Sequence, residues 1–304
     1  LGPSKTYSEE AAKIFAAKAK FVKETPILMP VSCLEDIINW LRTHQLKERG
    51  GKCFGVIPSY NYLQGLVQES LDVIYEGRMS IIGAVRVAIE FALGSYPESD
   101  IRDAVYSHPK ALAQCSNFLY NNFPGCQRIP TLSTTDAIEK VLQMKCAMAI
   151  AREEALIEKG LEVLAQDIAG EKCGNQKNFT DFYIIANKPT LANFSFIDFE
   201  NPNRYLTMVS ITPSEDKPGL LYGILGMVAK YGLNIAKIHS RPALVGHTGI
   251  KNNHEPQMFY LEIEAHQEDE KLQKCLEEIR KKYTFVRKTK VARVLGTYQR
   301  PVPF

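Results

Sequence analysis

The chain has no C-x-x-C pair. Its seven cysteines, at positions 33, 53, 115, 126, 146, 173 and 275, are odd in number and widely spaced. This argues against a disulfide framework or a thiolate zinc site, and each cysteine reads as a small buried apolar residue of a reducing cytoplasm. Charge of one sign is also missing. The 37 basic side chains against 34 acidic ones leave +3, which gives no pull toward nucleic acid or an anionic membrane. The basic run from Arg280 to Arg293 alternates with apolar residues and reads as a solvated face. The longest uncharged apolar stretch, from Pro218 to Ala229, is too short to span a bilayer. No internal repeat or low-complexity tract occurs. The Gly2-Pro3 turn leads straight into a charged helix, which does not read as a secretory leader. A cytoplasmic protein is expected.

What is present is ordinary globular material, 304 residues with 45% hydrophobic side chains, enough for two cored domains. From Leu1 to about Pro189, strands and helices alternate, the mark of an α/β sheet. Ser8, with Glu9 and Glu10 behind it, reads as the N-cap of a first helix. Residues 27–31 read as a short strand, and Ser32-Cys33-Leu34-Glu35 as a capping box before a second helix. Further strands are read at 53–57, ended by Pro58, at 104–107, 128–131, 147–151 and 161–167, with 182–186 closing the region; 81–91 suits strand or helix, and the alternation of its neighbours favours strand. Helices are read from Leu66, from His108-Pro109, from Ser133 and from Arg152. Several strand ends carry Gly, Ser or Thr clusters that run into helix N-termini, and such loops suit an anion. The stretch 190–203 reads as a linker. From Arg204 the order becomes β-α-β-β-α-β, a ferredoxin-like arrangement. Its first helix is read over 218–231, with Pro218 in the first turn and Gly232 just past the end.

Motifs with fixed order and spacing cover nearly the whole chain. They are Gly2-Pro3-x-x-Thr6-Tyr7-Ser8, Gly55-Val56-Ile57-Pro58 followed by Asn61 and Gly65, and Ser107-His108-Pro109-Lys110-Ala111-Leu112-Ala113-Gln114-Cys115. Ser133-Thr134-Thr135, Gly160-Leu161-Glu162-Val163-Leu164-Ala165 and Asn178-x-Thr180-x-Phe182 continue the series. The second region adds Lys217-Pro218-Gly219-Leu220-Leu221, Ile238-His239-Ser240-Arg241-Pro242 and Val294-Leu295-Gly296-x-Tyr298. Together they resemble the prephenate dehydratase family with a C-terminal ACT regulatory domain.

The resemblance implies a two-lobed, periplasmic-binding-protein-like catalytic domain over 1–189, with lobes of roughly 1–77 plus 160–189 and of 78–159, followed by an ACT domain over 204–304. It implies loss of water and CO2 from prephenate to give phenylpyruvate in phenylalanine biosynthesis, with no metal or organic cofactor. Thr180 falls at the departing hydroxyl. Thr6, Ser8, Asn61, Gly65, Ser133, Thr134, Thr135 and Phe182 fall at the substrate, while His108 reads equally well as a structural turn. The resemblance further implies feedback by phenylalanine, bound by Gly219, Leu220, Leu221, Asn234, His239, Ser240, Arg241 and Pro242, in a homodimer or homotetramer.

The chain departs from the family pattern at chosen places. The triplet Glu-Asn-Ser is Tyr60-Asn61-Tyr62, Thr-Arg-Phe is Thr180-Asp181-Phe182, and a small residue of the first motif is Lys5. Loss of the arginine removes a bidentate carboxylate partner. Lys5 is expected to take its place as the cation of the cleft, with Asp181 either holding Lys5 or accepting a hydrogen bond from a neutral part of a different substrate. Tyr60, Tyr62 and Asp181 are then also substrate contacts. Besides the dehydratase, two readings stay open: a lyase that decarboxylates prephenate without aromatising it, and a non-catalytic amino-acid sensor.

Overall fold

The computed structural model describes residues 6–18, 27–43, 53–97, 99–100, 102–169, 178–187, 205–213, 217–243, 257–283 and 291–301. Lys5 and Cys173 lie outside them. The first strand, β1 (Gly55–Asn61), pairs antiparallel with β9 (Phe179–Ala186), which pairs antiparallel with β3 (Ser80–Ala88). The two-residue β2 (Gly65–Leu66) folds back on β1 as a hairpin. β1 does not end at Pro58. It continues through it, with the register shifting between Pro58 and Tyr60, since a bulge tolerates a residue without an N–H. Helix α1 (Tyr7–Lys18) covers one face of this sheet, where Ala11 packs with Val85, Phe182 and Ile184. Helices α2 (Leu34–Thr43) and α3 (Gln68–Gly77) cover the other, where Leu41, Leu71 and Ile74 meet Ile57 and Ile185. Each such fully buried aliphatic side chain contributes about 1.5–3 kcal/mol.

The second sheet has the order β6-β5-β7-β4-β8. Its members are β4 (Ala92–Ser95), β5 (Ala104–Ser107), β6 (Gln127–Pro130), β7 (Met148–Ala151) and β8 (Glu162–Ala165). β5 is parallel to β6 and to β7, while β4 runs antiparallel to β7 and β8. The parallel strands are followed by α4 (Pro109–Gln114) with α5 (Ser116–Asn122), by α6 (Thr134–Met144) and by α7 (Glu153–Glu158). Their helix N-termini therefore line up along one end of the sheet.

The lobes divide differently from the sequence expectation. β3 belongs to the first sheet because it pairs with β9 along its length, and β8 belongs to the second because β4 takes it. The crossing points run side by side, with the Ile89 amide bonded to the Asn178 carbonyl and the Ile168 amide to the Phe91 carbonyl. Residues 27–31 form no strand. Ile27 is 88% exposed and Met29 55%, so no sheet edge takes them up. The cap of α1 is Thr6 rather than Ser8, since the Thr6 hydroxyl accepts from the Glu9 amide at 3.4 Å.

The C-terminal region comprises β10 (Tyr205–Ile211), α8 (Leu220–Lys230), β11 (Ile235–Pro242), β12 (Gln257–Ile263), α9 (Glu270–Lys282) and β13 (Ala292–Gln299). Its strands are ordered β11-β12-β10-β13, all antiparallel, and Ile224, Leu272 and Leu276 fill the helix side. Pro218 and Gly219 precede α8 rather than entering it, and Gly219 caps it at φ 83°. This sheet does not stand apart. β13 meets β3 through the single parallel pair Gly296–Ile81, so strands of both regions form one eight-stranded sheet. Only glycine fits that seam, because a Cβ at position 296 would overlap the Ile81 backbone and φ there is 147°.

Candidate active site

Adjacent residues of a strand face opposite sides of the sheet, and this parity decides which motif residues meet. Asn61 and Thr180 are register partners across β1 and β9, and both are buried. The Asn61 carboxamide donates to the Thr180 hydroxyl at 2.9 Å and to the Asn178 side-chain oxygen at 3.0 Å. Its own oxygen accepts from the Leu63 and Gln64 amides at 3.0 and 2.9 Å, which fixes the β1–β2 turn. Asn178 in turn donates to Gln114 of α4 at 3.1 Å. The polar chain from Thr180 to Gln114 thus crosses from the first lobe to the second. A hydroxyl oxygen that accepts from Asn61 keeps its own hydrogen to donate.

Three helix N-termini of the second lobe lie at the same end of its sheet, and those of α4 and α6 carry motif residues. His108 caps α4, its Nδ1 accepting from the Lys110 amide at 3.2 Å, and burial together with the Lys110 ammonium holds its imidazole below the ordinary value. Ser133 caps α6 by accepting from the Asp136 amide at 3.0 Å. That hydroxyl is occupied as a cap, while Thr134 and Thr135 stand half-buried in the first turn. Arg152 precedes α7, binds Glu10 of α1 at 2.6 Å and lies over the Tyr7 ring. Tyr7 itself donates to the Glu90 carbonyl at 2.6 Å, which ties the start of α1 to the lobe crossing. Thr6 and Ser8 sit half-buried at that same helix start.

The expected contacts Tyr60, Tyr62, Asp181 and Phe182 do not join this group. Phe182 is buried in the core under α1. Tyr60 is the register partner of Asp181, and both belong to the face turned away from Thr180. Asp181 is held by Arg86 of β3, Nε to Oδ1 at 2.7 Å and Nη2 to Oδ2 at 3.1 Å, with both side chains largely buried. The expected Lys5–Asp181 pairing falls on Lys5, outside the described residues; among those described, the partner of Asp181 is Arg86. Burial opposes the Arg86 charge, but the Asp181 carboxylate outweighs it and raises the guanidinium pKa. Tyr62 crosses the same cluster, donating to Asp181 at 3.4 Å, with the Arg86 guanidinium 4.5 Å above its ring. Gly65 pairs with Asn61 across the hairpin. The sequence reading missed Arg86, although one charge inside the apolar run of β3 was a signal that a partner lay on the next strand.

Behind this cluster, toward the C-terminal region, lies a cavity of about 490 Å³ whose walls include Arg86, Asp181, Lys237, Glu262 and Arg300. Lys237 of β11 lies 4.3 Å over the Tyr60 ring and 3.2 Å from Glu262. The expected effector residues are split between two faces. Arg241 is ion-paired to Asp72 of α3, and His239 pairs in register with the buried Tyr260 on that same side. Ser240 pairs with Phe259 on the helix side, Leu220 is core, and Asn234 donates to Glu264 at 2.8 Å. Pro242 ends β11 and is exposed.

Among the described residues, no group of His, Cys, Asp and Glu is placed to hold a metal ion, and no helix is long and apolar enough to cross a membrane.

Two lobes joined by paired crossings, with hydroxyls and helix N-termini gathered on the joining seam, define an α/β protein of the periplasmic-binding-protein-like class, extended here by a ferredoxin-like unit. Within that class the chain belongs to the prephenate dehydratase family, whose model matches residues 1–190. It is 32% identical over 303 residues to the bifunctional chorismate mutase/prephenate dehydratase of Aquifex aeolicus, covering 98% of this chain and 72% of that one. It is 30% identical to arogenate dehydratase 2 of Petunia hybrida, over 80% of this chain and 59% of the relative. Its fold matches the prephenate dehydratase of Arthrobacter aurescens, solved in complex with L-Phe, with a TM-score of 0.74 at 24% identity over 99% of this chain and 89% of that one.

Proposed function

We propose that the chain is a prephenate dehydratase, a lyase that converts prephenate to phenylpyruvate, CO2 and water in phenylalanine biosynthesis in the cytoplasm. The observation that carries the reading is the Thr180 hydroxyl, buried beside the lobe seam and accepting from Asn61 at 2.9 Å. As the bond between ring and carboxylate breaks, its electron pair enters the ring, and the ring hydroxyl leaves with its own pair. The ring becomes aromatic, and the departing oxygen needs only a donor to leave as water. Thr180, oriented by Asn61, gives its proton to that oxygen and recovers one from solvent. Helix N-termini on the seam suit the two carboxylates of the substrate.

The C-terminal unit, taken as an ACT domain over 204–304, binds phenylalanine and joins copies of the chain as a homodimer or homotetramer. Support for association comes from β11, an edge strand with Ile238 45% exposed, and from Tyr222 of α8, 82% exposed. Incubation with prephenate, read by the absorbance of phenylpyruvate, tests the activity. Thr180→Ala is expected to lower kcat by about 10²–10⁴-fold with the fold intact. A product of the right mass for decarboxylation without water loss would favour the non-aromatising lyase. No turnover, with phenylalanine still bound in calorimetry, would favour the sensor.

A further inference from the structure

Three of the four positions at which this chain departs from the family pattern, Tyr60, Tyr62 and Asp181, come together in one cluster on the far side of the sheet from Thr180. We propose that Arg86, acting through Tyr62 and Asp181, is a positioning residue that holds the β1–β2 hairpin so that Asn61 presents Thr180 to the substrate. The proposal rests on the dehydratase reading for its kinetic consequence, though not for its structural one.

The hairpin needs such a support. β2 has only two residues and lies at the edge of the sheet. Its ladder to β1 is two register pairs, Tyr60–Leu66 and Asn61–Gly65. On the near side, Asn61 binds Thr180, Asn178 and the two turn amides. The backbone adds one bond from the tip to β9, the Tyr62 amide to the Phe179 carbonyl at 2.9 Å, which leaves the Tyr62 side chain to be fixed by other contacts. Tyr62, the next residue, carries the tip to the opposite face. There the Arg86 guanidinium donates to the Tyr62 hydroxyl and stacks on its ring while its fork grips Asp181. Asp181 is adjacent to Thr180 on β9, and Arg86 is its register partner on β3. One planar cation therefore ties the turn that carries Asn61 to the strand that carries Thr180. The Ser59 hydroxyl adds a bond to the Asp181 carbonyl at 2.8 Å, so β1 is fastened to the same residue twice. In a fork of this kind, a neutral amide cannot replace the guanidinium without freeing the tyrosine.

The test compares the wild type with Arg86→Gln, Tyr62→Phe and the uncharged double variant Arg86→Gln/Asp181→Asn. Arg86→Gln is expected to lower kcat about 10- to 100-fold, with KM moving much less, because misplacement of the donor costs rate rather than ground-state binding. Tyr62→Phe, which removes only the hydroxyl, should lower kcat in the same direction by a smaller factor. The double variant removes the unpaired buried carboxylate and so separates loss of the clamp from loss of the fold. It should regain thermal stability but not kcat. Amide hydrogen exchange supplies a readout independent of turnover. The Leu63 and Gln64 amides, bonded to Asn61, should exchange faster in Arg86→Gln, while those of α6 stay unchanged. Unchanged exchange at Leu63 and Gln64 would overturn the proposal, as would a raised KM at constant kcat, which would make Arg86 a substrate ligand. If the wild type does not turn over prephenate, the dehydratase reading fails, and the exchange measurement alone still decides the clamp.

Discussion

Thr180 and Asp181 are neighbours on β9 that serve opposite faces of one sheet. The hydroxyl of the first meets Asn61 beside the lobe seam, and the carboxylate of the second meets Arg86 behind it. The placement matters for charge. A carboxylate in the cleft would repel a dianionic substrate, whereas one paired to a guanidinium on the far face leaves the cleft to hydroxyls, amides and helix dipoles.

Asn61 is expected to be the most sensitive non-hydroxyl residue of the site. Asn61→Ala removes the donor to Thr180 and the acceptor for the Leu63 and Gln64 amides. Two effects should separate. Stability falls by about 1–3 kcal/mol for the orphaned turn amides, and kcat falls by about 10²-fold because the donor loses its orientation. Urea unfolding and steady-state kinetics on the same preparation check both.

Gly296→Ala should damage the molecule out of proportion to one methyl group. The added Cβ meets the Ile81 backbone at the only pair joining β13 to β3, and the backbone angle there disfavours any L side chain. A cost of about 3 kcal/mol or more is expected, read as a lowered urea midpoint. An alanine variant as stable as the wild type would mean that the two sheets are not joined at this residue.

The fold should lose stability in mild acid, and His108 should account for part of the loss. Its Nδ1 must be unprotonated to accept from the Lys110 amide, and burial with the Lys110 charge lowers its pKa below the ordinary 6.5. In the unfolded chain the imidazole takes a proton near pH 6.5. The contribution is therefore complete above that pH and is lost as pH falls through the lowered folded value, where both states bind the proton. His239, lowered by burial, acts in the same sense. His108→Asn keeps a cap acceptor without a titrating ring, so urea midpoints measured from about pH 7.5 to 5 should show a shallower decline in this variant than in the wild type.

Much of this architecture was legible because local chemistry and global fold agree. Ser133 reads as a cap and is one, and the apolar period of α9 places Leu272, Cys275, Leu276 and Ile279 in the core. The misreadings have physical causes. Residues 27–31 have strand composition but no partner edge, and pairing rather than propensity makes a strand. Thr6 takes the cap that Ser8 also suits, an ambiguity between two hydroxyls two residues apart. Asn61 and Thr180 read as residues of one site and the structure bonds them to each other, whereas Asp181 reads as a cleft residue although its place next to Thr180 already puts it on the other face. Arg86 lies 95 residues from Asp181, so the lone charge in the apolar run of β3 signals that a partner exists without saying which residue it is.

Glu262 is expected to couple the two regions. It is 2% exposed on β12, and its Oε1 accepts from Tyr183 of β9 at 2.8 Å and from Tyr298 of β13 at 2.5 Å, while Lys237 of β11 lies 3.2 Å from Oε2. Burial, reinforced by the carboxylate, raises both phenols well above their ordinary values, so both remain donors at neutral pH. One carboxylate therefore gathers the strand of Thr180 with three strands of the C-terminal unit. Glu262→Ala leaves two phenols and an ammonium without their acceptor and should cost about 3–5 kcal/mol. Glu262→Gln keeps an acceptor without the charge and should cost less. The informative measurement is a double-mutant cycle of Glu262→Gln with Tyr183→Phe. A coupling of about 0.5–3 kcal/mol is expected for groups in direct contact. Additive losses would mean that Tyr183 and Glu262 are held independently, and that the first lobe and the C-terminal unit are coupled through their other contacts, the Gly296 seam and the Arg241–Asp72 pair among them.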